Sequence, residues 1–270
     1  MTLFRRRPAP ARSAPEAIDA AEAALAGDEP DTALRHADHA VAAARRDRDP
    51  SSLAEALLVR VAALNELGRF ADAERAATEA CRADPDDPDA WLERAHAAYR
   101  LARFEAAAES ALRSAELDEE NADAWHLLGR ARTWLGDLPA ADADLARASA
   151  LEPEDYVRPV RIAAAEFDRI AAEVWRAIPA RFRARMGNTL VVAEELPDES
   201  DVADGFDPDT LGVYEGATAL HDGMPERIVL FQRNHEAVCA TLGALEDEVR
   251  RTLLHEVGHH FGMDEHELPY

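Results

Sequence analysis

A chain of 270 residues with 47% hydrophobic content has room for two cores, and the abundance of alanine favours closely packed helices over sandwiches. A net charge of −24 argues against a general nucleic-acid binder, which needs a basic face, and against an anionic membrane surface. All thirty basic residues are arginine, so no lysine is present for Schiff-base chemistry, and the bias points to a high-GC bacterial source.

At the amino end Arg5, Arg6 and Arg7 are followed by prolines and charges instead of an apolar stretch. Residues 1–13 therefore read as a tail, not a leader. No run of the chain approaches a membrane span. Two cysteines, Cys81 and Cys239, are too few for a disulfide framework and read as buried thiols of a cytoplasmic protein.

The region 14–156 is periodic. Trp91 and Trp125 stand 34 residues apart, and Leu57 holds the equivalent place one period earlier. A turn recurs in register as Leu67-Gly68-Arg69-Phe70, Leu101-Ala102-Arg103-Phe104 and Leu135-Gly136-Asp137-Leu138, followed by Ala73, Ala107 and Ala141. Such a helix-turn-helix unit resembles the tetratricopeptide repeat, with copies at 54–87, 88–121 and 122–155. A looser helix pair from Ala14 to Arg48 precedes them. One pair cannot bury its own apolar face, so the copies stack into an α-solenoid. The resemblance implies a peptide or protein partner on the concave face, where the pattern places His96, Tyr99, Arg100, His126, Arg130 and Trp134.

Prolines at 153 and 159 break the period, and 157–270 reads as a separate α+β domain. An amphipathic helix is expected over Val160–Ala177, with Ile162, Phe167, Ile170, Val174 and Trp175 on its buried face. Three β-rich stretches follow, Thr189–Ala193, Leu211–Tyr214 and Arg227–Phe231, the first two separated by an acidic loop over Glu194–Asp209. A helix from about Ala244 to Phe261 closes the pattern. The chain as a whole is expected to be mainly α.

That last helix contains His255-Glu256-Val257-Gly258-His259, an H-E-x-x-H motif. Residues four apart share a helix face, so both imidazoles reach one Zn2+ ion, while Glu256 approaches the open side as general base. Zinc lowers the pKa of its bound water to roughly 7. Gly262 follows at the spacing of a helix-ending turn, and Glu265 falls where H-E-x-x-H-x-x-G-x-x-E sites place a third ligand. Few residues remain beyond it, so the third ligand is expected to be local or to come from upstream. Asp264, His266 and Glu267 compete with Glu265. The Met-turn of metzincins is missing, and Met263 reads as core. Tyr214, His221, His260 and Tyr270 are candidate oxyanion donors; Tyr214 leads because Gly212–Gly216 reads as a strand edge that could align an extended substrate.

The segment from about Glu166 onward resembles the bacterial minimal zincins. The likeness rests on Leu211-Gly212-Val213-Tyr214-Glu215-Gly216, on Pro225–Phe231 and above all on Val249–Met263. It implies a reduced α+β zincin fold and zinc-dependent peptide hydrolysis, with His255, His259 and an acidic residue as ligands. The family commonly has aspartate where Glu265 stands. Two readings remain open: a metallopeptidase whose repeats recruit substrate, and a repeat-based adaptor with a structural or weakly active zincin module.

Overall fold

The computed structural model describes residues 13–184, 186, 187, 189–216 and 226–261; Arg181, His259 and His260 are described in the backbone alone. The chain divides into two compact units, Met1–Ala131 and Arg132–Tyr270, a division that falls inside the helix Ala122–Trp134.

The first unit is a run of helix pairs. They are α1 (Ala14–Ala26) with α2 (Pro30–Asp47), α3 (Pro50–Glu66) with α4 (Phe70–Ala83), α5 (Pro88–Arg100) with α6 (Phe104–Leu117), and α7 (Ala122–Trp134) as far as Ala131. From α1 to α6 each helix packs on the next, and α1 on α3 and α3 on α5, which is the neighbour pattern of a stacked solenoid. The core is alanine-rich, with Ala17, Ala37, Ala56, Ala77 and Ala97 fully buried. Small side chains at these crossings let helices approach closely, while Leu57, Leu64 and Ile18 fill the layers between.

The repeat is visible in its hydrogen bonds. The indole N–H of Trp91 donates to Pro85 O and that of Trp125 to Glu119 O, both at 3.0 Å. Each inter-helix turn ends its first helix in the same way: Arg69 N donates to Leu64 O, Arg103 N to Ala98 O and Asp137 N to Arg132 O, at 2.8, 2.9 and 3.0 Å. These are the long closing bonds of a Schellman turn, which needs a left-handed residue just after the helix. Gly68 (φ 66°) and Gly136 (φ 76°) supply it without cost, but the middle repeat uses Ala102 (φ 55°).

The second unit holds α8 (Leu138–Leu151), α9 (Ala164–Ala177), α10 (Ala180–Arg183), β1 (Leu190–Glu194), α11 (Glu199–Ala203), β2 (Gly212–Glu215), β3 (Arg227–Phe231), α12 (Gln232–Ala237) and α13 (Leu242–His260). The sheet order is β1-β3-β2, with β1 parallel and β2 antiparallel to the central β3. Ile228 and Leu230 of β3 join Phe167, Ile170 and Val174 of α9 and Leu245, Val249 and Leu253 of α13 in one core.

The helix expected from Val160 begins at Ala164 instead. Its first residues are held extended because their amides are taken elsewhere: Val160 N donates to Cys239 O (2.8 Å) and Ile162 N to the Glu236 carboxylate (3.2 Å). The acidic stretch 194–209 contains α11, capped by the Asp198 side chain, which accepts from Ser200 N. Glu236 on α12 is fully buried. It is satisfied by Arg161 (2.8 Å), Arg233 (3.0 Å) and Gln232 (2.8 Å), and Arg161 reaches on to Asp142 of α8 (2.8 Å). Both cysteines are buried thiols, and burial pushes each up to about 11.

A left-handed alanine costs roughly 1–2 kcal/mol that glycine avoids, partly offset by glycine's greater freedom when unfolded. Ala102→Gly should therefore stabilise the repeats by about 0.5–1 kcal/mol in urea denaturation.

Candidate active site

Helix α13 carries the H-E-x-x-H residues. Thr241 opens it, its hydroxyl accepting from Ala244 N at 3.2 Å, and Leu245, Val249, Leu253 and Val257 form a buried stripe four residues apart. That stripe fixes the helix's rotation. It leaves His255 half-buried and Glu256 buried at 6% exposure on the side toward β2.

Strand β2 lies at the sheet edge and meets α13 at two points. A Cβ on Gly212 would sit 2.8 Å from Thr252 Cγ2 and 3.0 Å from Val229 O, so only glycine fits that contact without a shift. Two residues on, the backbone N–H of Tyr214 donates to Glu256 Oε2 at 2.8 Å. Two strand residues rise about 6.6 Å and four helical residues about 6 Å, so strand and helix run in step, Gly212 on Thr252 and Tyr214 on Glu256. The Tyr214 hydroxyl is engaged elsewhere. It donates to the Glu226 carboxylate, and burial together with that carboxylate pushes the phenol up to about 12.

Thr252 is also held from behind. His235 of α12 is fully buried, with Nδ1 2.9 Å from Phe231 O and Nε2 3.1 Å from Thr252 Oγ1. A carbonyl only accepts, so Nδ1 carries the proton and the Thr252 hydroxyl donates to Nε2. Burial pushes His235 down to about 4, which keeps it neutral.

A pocket of about 280 Å3 opens beside His255 and Glu256. Thr210, Leu211 and Gly212 form one wall; Glu248, Arg251 and Thr252 form the helix side. Arg251 NH1 pairs with Glu248 at 2.6 Å.

The structure thus brings His255, Glu256 and the Tyr214 amide together. The backbone of His259 lies one turn beyond His255 in the same helix, with its side chain outside the described residues. Glu265, its competitors Asp264, His266 and Glu267, and Met263, His221 and Tyr270 also lie outside them. Among the described residues no three His, Cys, Asp or Glu side chains form a metal-holding group. The donor chemistry fits a zinc ion nonetheless: two imidazoles four apart on one continuous helix, beside a carboxylate fixed by an amide. Sequence reasoning passed over His235, Thr252 and Arg251. Arg251 and Thr252 carried a readable signal, standing four residues before His255 and Glu256 on the same helix face; His235 carried none.

On the proposed partner face, His96 is exposed, Arg100, His126 and Trp134 are half-buried, and Tyr99 and Arg130 are buried at 3% and 6%. Tyr99 packs edge-on against Phe104, and Arg100 lies over Phe70.

Residues 186–270 match the family model of a zincin-like metallopeptidase, and residues 54–97 that of the tetratricopeptide repeat. The two matches thus fall on the helical repeats and, after them, on the segment that holds the sheet and α13. The latter match spans all three strands, α12 and α13. No curated protein matches the chain. Among solved structures it is similar to MamA from Desulfovibrio magneticus RS-1, at 18% identity over 72% of this chain and 90% of that one, with TM-score 0.46. It is similar also to YrrB, a TPR protein with an unusual peptide-binding site, at 22% identity over 52% and 70%, with TM-score 0.45. A third is the first TPR of Spaghetti (RPAP3) bound to HSP90 peptide SRMEEVD, at 29% identity over 37% and 80%, with TM-score 0.37.

The pKa of His235 gives a signed prediction. Its folded value, about 4, lies below its ordinary 6.5, so between these pH values the unfolded chain binds more protons and stability rises with pH. The contribution is complete above pH 6.5 and is lost as pH falls toward 4, amounting to about 3 kcal/mol. Urea unfolding at about pH 7.5 and about pH 4.5 should show His235→Gln losing less stability on acidification than the parent chain.

Proposed function

We propose that the second unit is a zinc-dependent metallopeptidase, with the domain beginning near residue 157. The observation that supports it best is the hydrogen bond from the Tyr214 amide to Glu256, in a pocket that His255 also lines. His255 and His259 would hold the ion with an acidic third ligand, Glu265 before its neighbours. A zinc ion there would supply a Lewis acid and bring water's ionisation close to neutral pH. Glu256 takes the water proton on its carboxylate and returns it to the departing amine. The hydrogen bond from Tyr214 N to Oε2 holds that carboxylate in place beside the pocket. Tyr214 acts through its backbone, and the edge of β2 is where an extended peptide would align.

The repeats recruit a peptide or protein substrate. Of the side chains proposed to meet it, His96, Arg100, His126 and Trp134 are exposed or half-buried, and Tyr99 and Arg130 are buried. Among the described residues no helix is long and apolar enough to cross a membrane. Reduced, buried cysteines fit a cytoplasmic and, from the arginine bias, bacterial setting.

Glu256→Gln should retain the parent's zinc content while peptide hydrolysis falls by about 10²–10⁴-fold, the usual worth of a positioned acid–base group. Parent-like hydrolysis by this variant would refute Glu256 as the base.

A further inference from the structure

The pocket beside His255 carries a cation that the reaction does not use. Arg251 stands four residues before His255, one turn of about 6 Å along the same helix face. Its side chain is 57% exposed at the pocket wall, whereas that of Glu248 is only 18% exposed. The Glu248 bond engages NH1. A guanidinium offers five N–H donors in a planar fork, so this bond leaves donors for a second carboxylate. Leu211 and Gly212 also line the pocket. At about 280 Å3 the space suits a single amino-acid side chain or the end of a chain.

We infer that Arg251 is a specificity residue: it binds a substrate carboxylate flanking the scissile bond, either an acidic side chain or the chain's own terminal carboxylate. The inference rests on the metallopeptidase reading for its reaction, but not for its binding. The protein's overall negative charge opposes approach of an anion, yet such fields are screened beyond about 8 Å at physiological ionic strength, and the local pair decides. Glu248 acts as a splint that holds the guanidinium at the wall.

The test uses the full-length, zinc-loaded Glu256→Gln protein and alanine-based hexapeptides. The peptides carry one Glu, Gln or Lys at each position in turn, each with a free or an amidated carboxyl end. Binding is read by calorimetry. The expected result is about tenfold tighter binding of a carboxylate-bearing peptide than of its neutral counterpart. The preference should vanish in Arg251→Gln with zinc content and melting temperature unchanged, and survive in Glu248→Gln. A preference for Glu over Gln assigns the side-chain carboxylate; one for free over amidated ends assigns the terminal one. Equal affinities, uniformly absent binding, or a preference that persists in Arg251→Gln overturns the inference. Selective binding by a zinc-loaded parent chain that hydrolyses none of these peptides would uphold Arg251 and count against the peptidase reading alone.

Discussion

The fit of β2 onto α13 is the constraint on which the candidate site depends. The strand approaches the helix at Gly212, whose bare α-carbon lets Thr252 Cγ2 and Val229 O close in. That approach delivers the Tyr214 amide to the Glu256 carboxylate at 2.8 Å. A buried carboxylate without donors is costly, so the bond is a stability requirement of the fold and also fixes how the carboxylate is turned. The helix is locked from the other side by the hydroxyl of Thr252 donating to His235, itself anchored on the last residue of β3. One threonine thus links sheet edge, α12 and the helix that carries the H-E-x-x-H residues. The exposure of His255 is set by that rotation.

A second buried polar centre organises the rest of this unit. Glu236 accepts from two arginines, a glutamine and a backbone amide, and through Arg161 it engages Asp142 of α8. Burying such charges rarely gains stability over an apolar core, because desolvation consumes the Coulombic return. Its effect is directional: the four donors specify how α12 and the segment before α9 sit, and that segment is extended because Glu236 and Cys239 hold its amides.

Much of this architecture is legible in the sequence, for identifiable reasons. The solenoid shows because a 34-residue unit repeats its turn, a bulky Trp or Leu and its small residues in register, and the turn bond recurs in all three copies while the indole bond recurs in the two that carry tryptophan. The three strands and the last helix show because their apolar periodicities differ. The early start given to α9 has a specific cause: local pattern does not reveal that the amides of Val160 and Ile162 are captured by Cys239 O and the Glu236 carboxylate, both distant in sequence; α11 and α12, of five and six residues, are too short to show a helical period. His235 stayed hidden similarly. A lone histidine in a short helix carries no periodic signal, and its importance arises only when α13 packs on it. In the candidate site, the spacing alone puts His255 and Glu256 on one helix, whereas the partner of Glu256 is not legible from it. Tyr214 stands out in the sequence for its hydroxyl; it meets Glu256 through its amide, which no sequence pattern distinguishes.

The central claim is that α13 presents His255 and His259 to one zinc ion. Metal analysis of the purified chain beside its His259→Ala variant tests it most directly. The account predicts one zinc per chain in the parent and a loss of at least most of it in the variant, since removing one imidazole leaves an incomplete ligand set. Zinc retained at the parent's level after His259→Ala would contradict it.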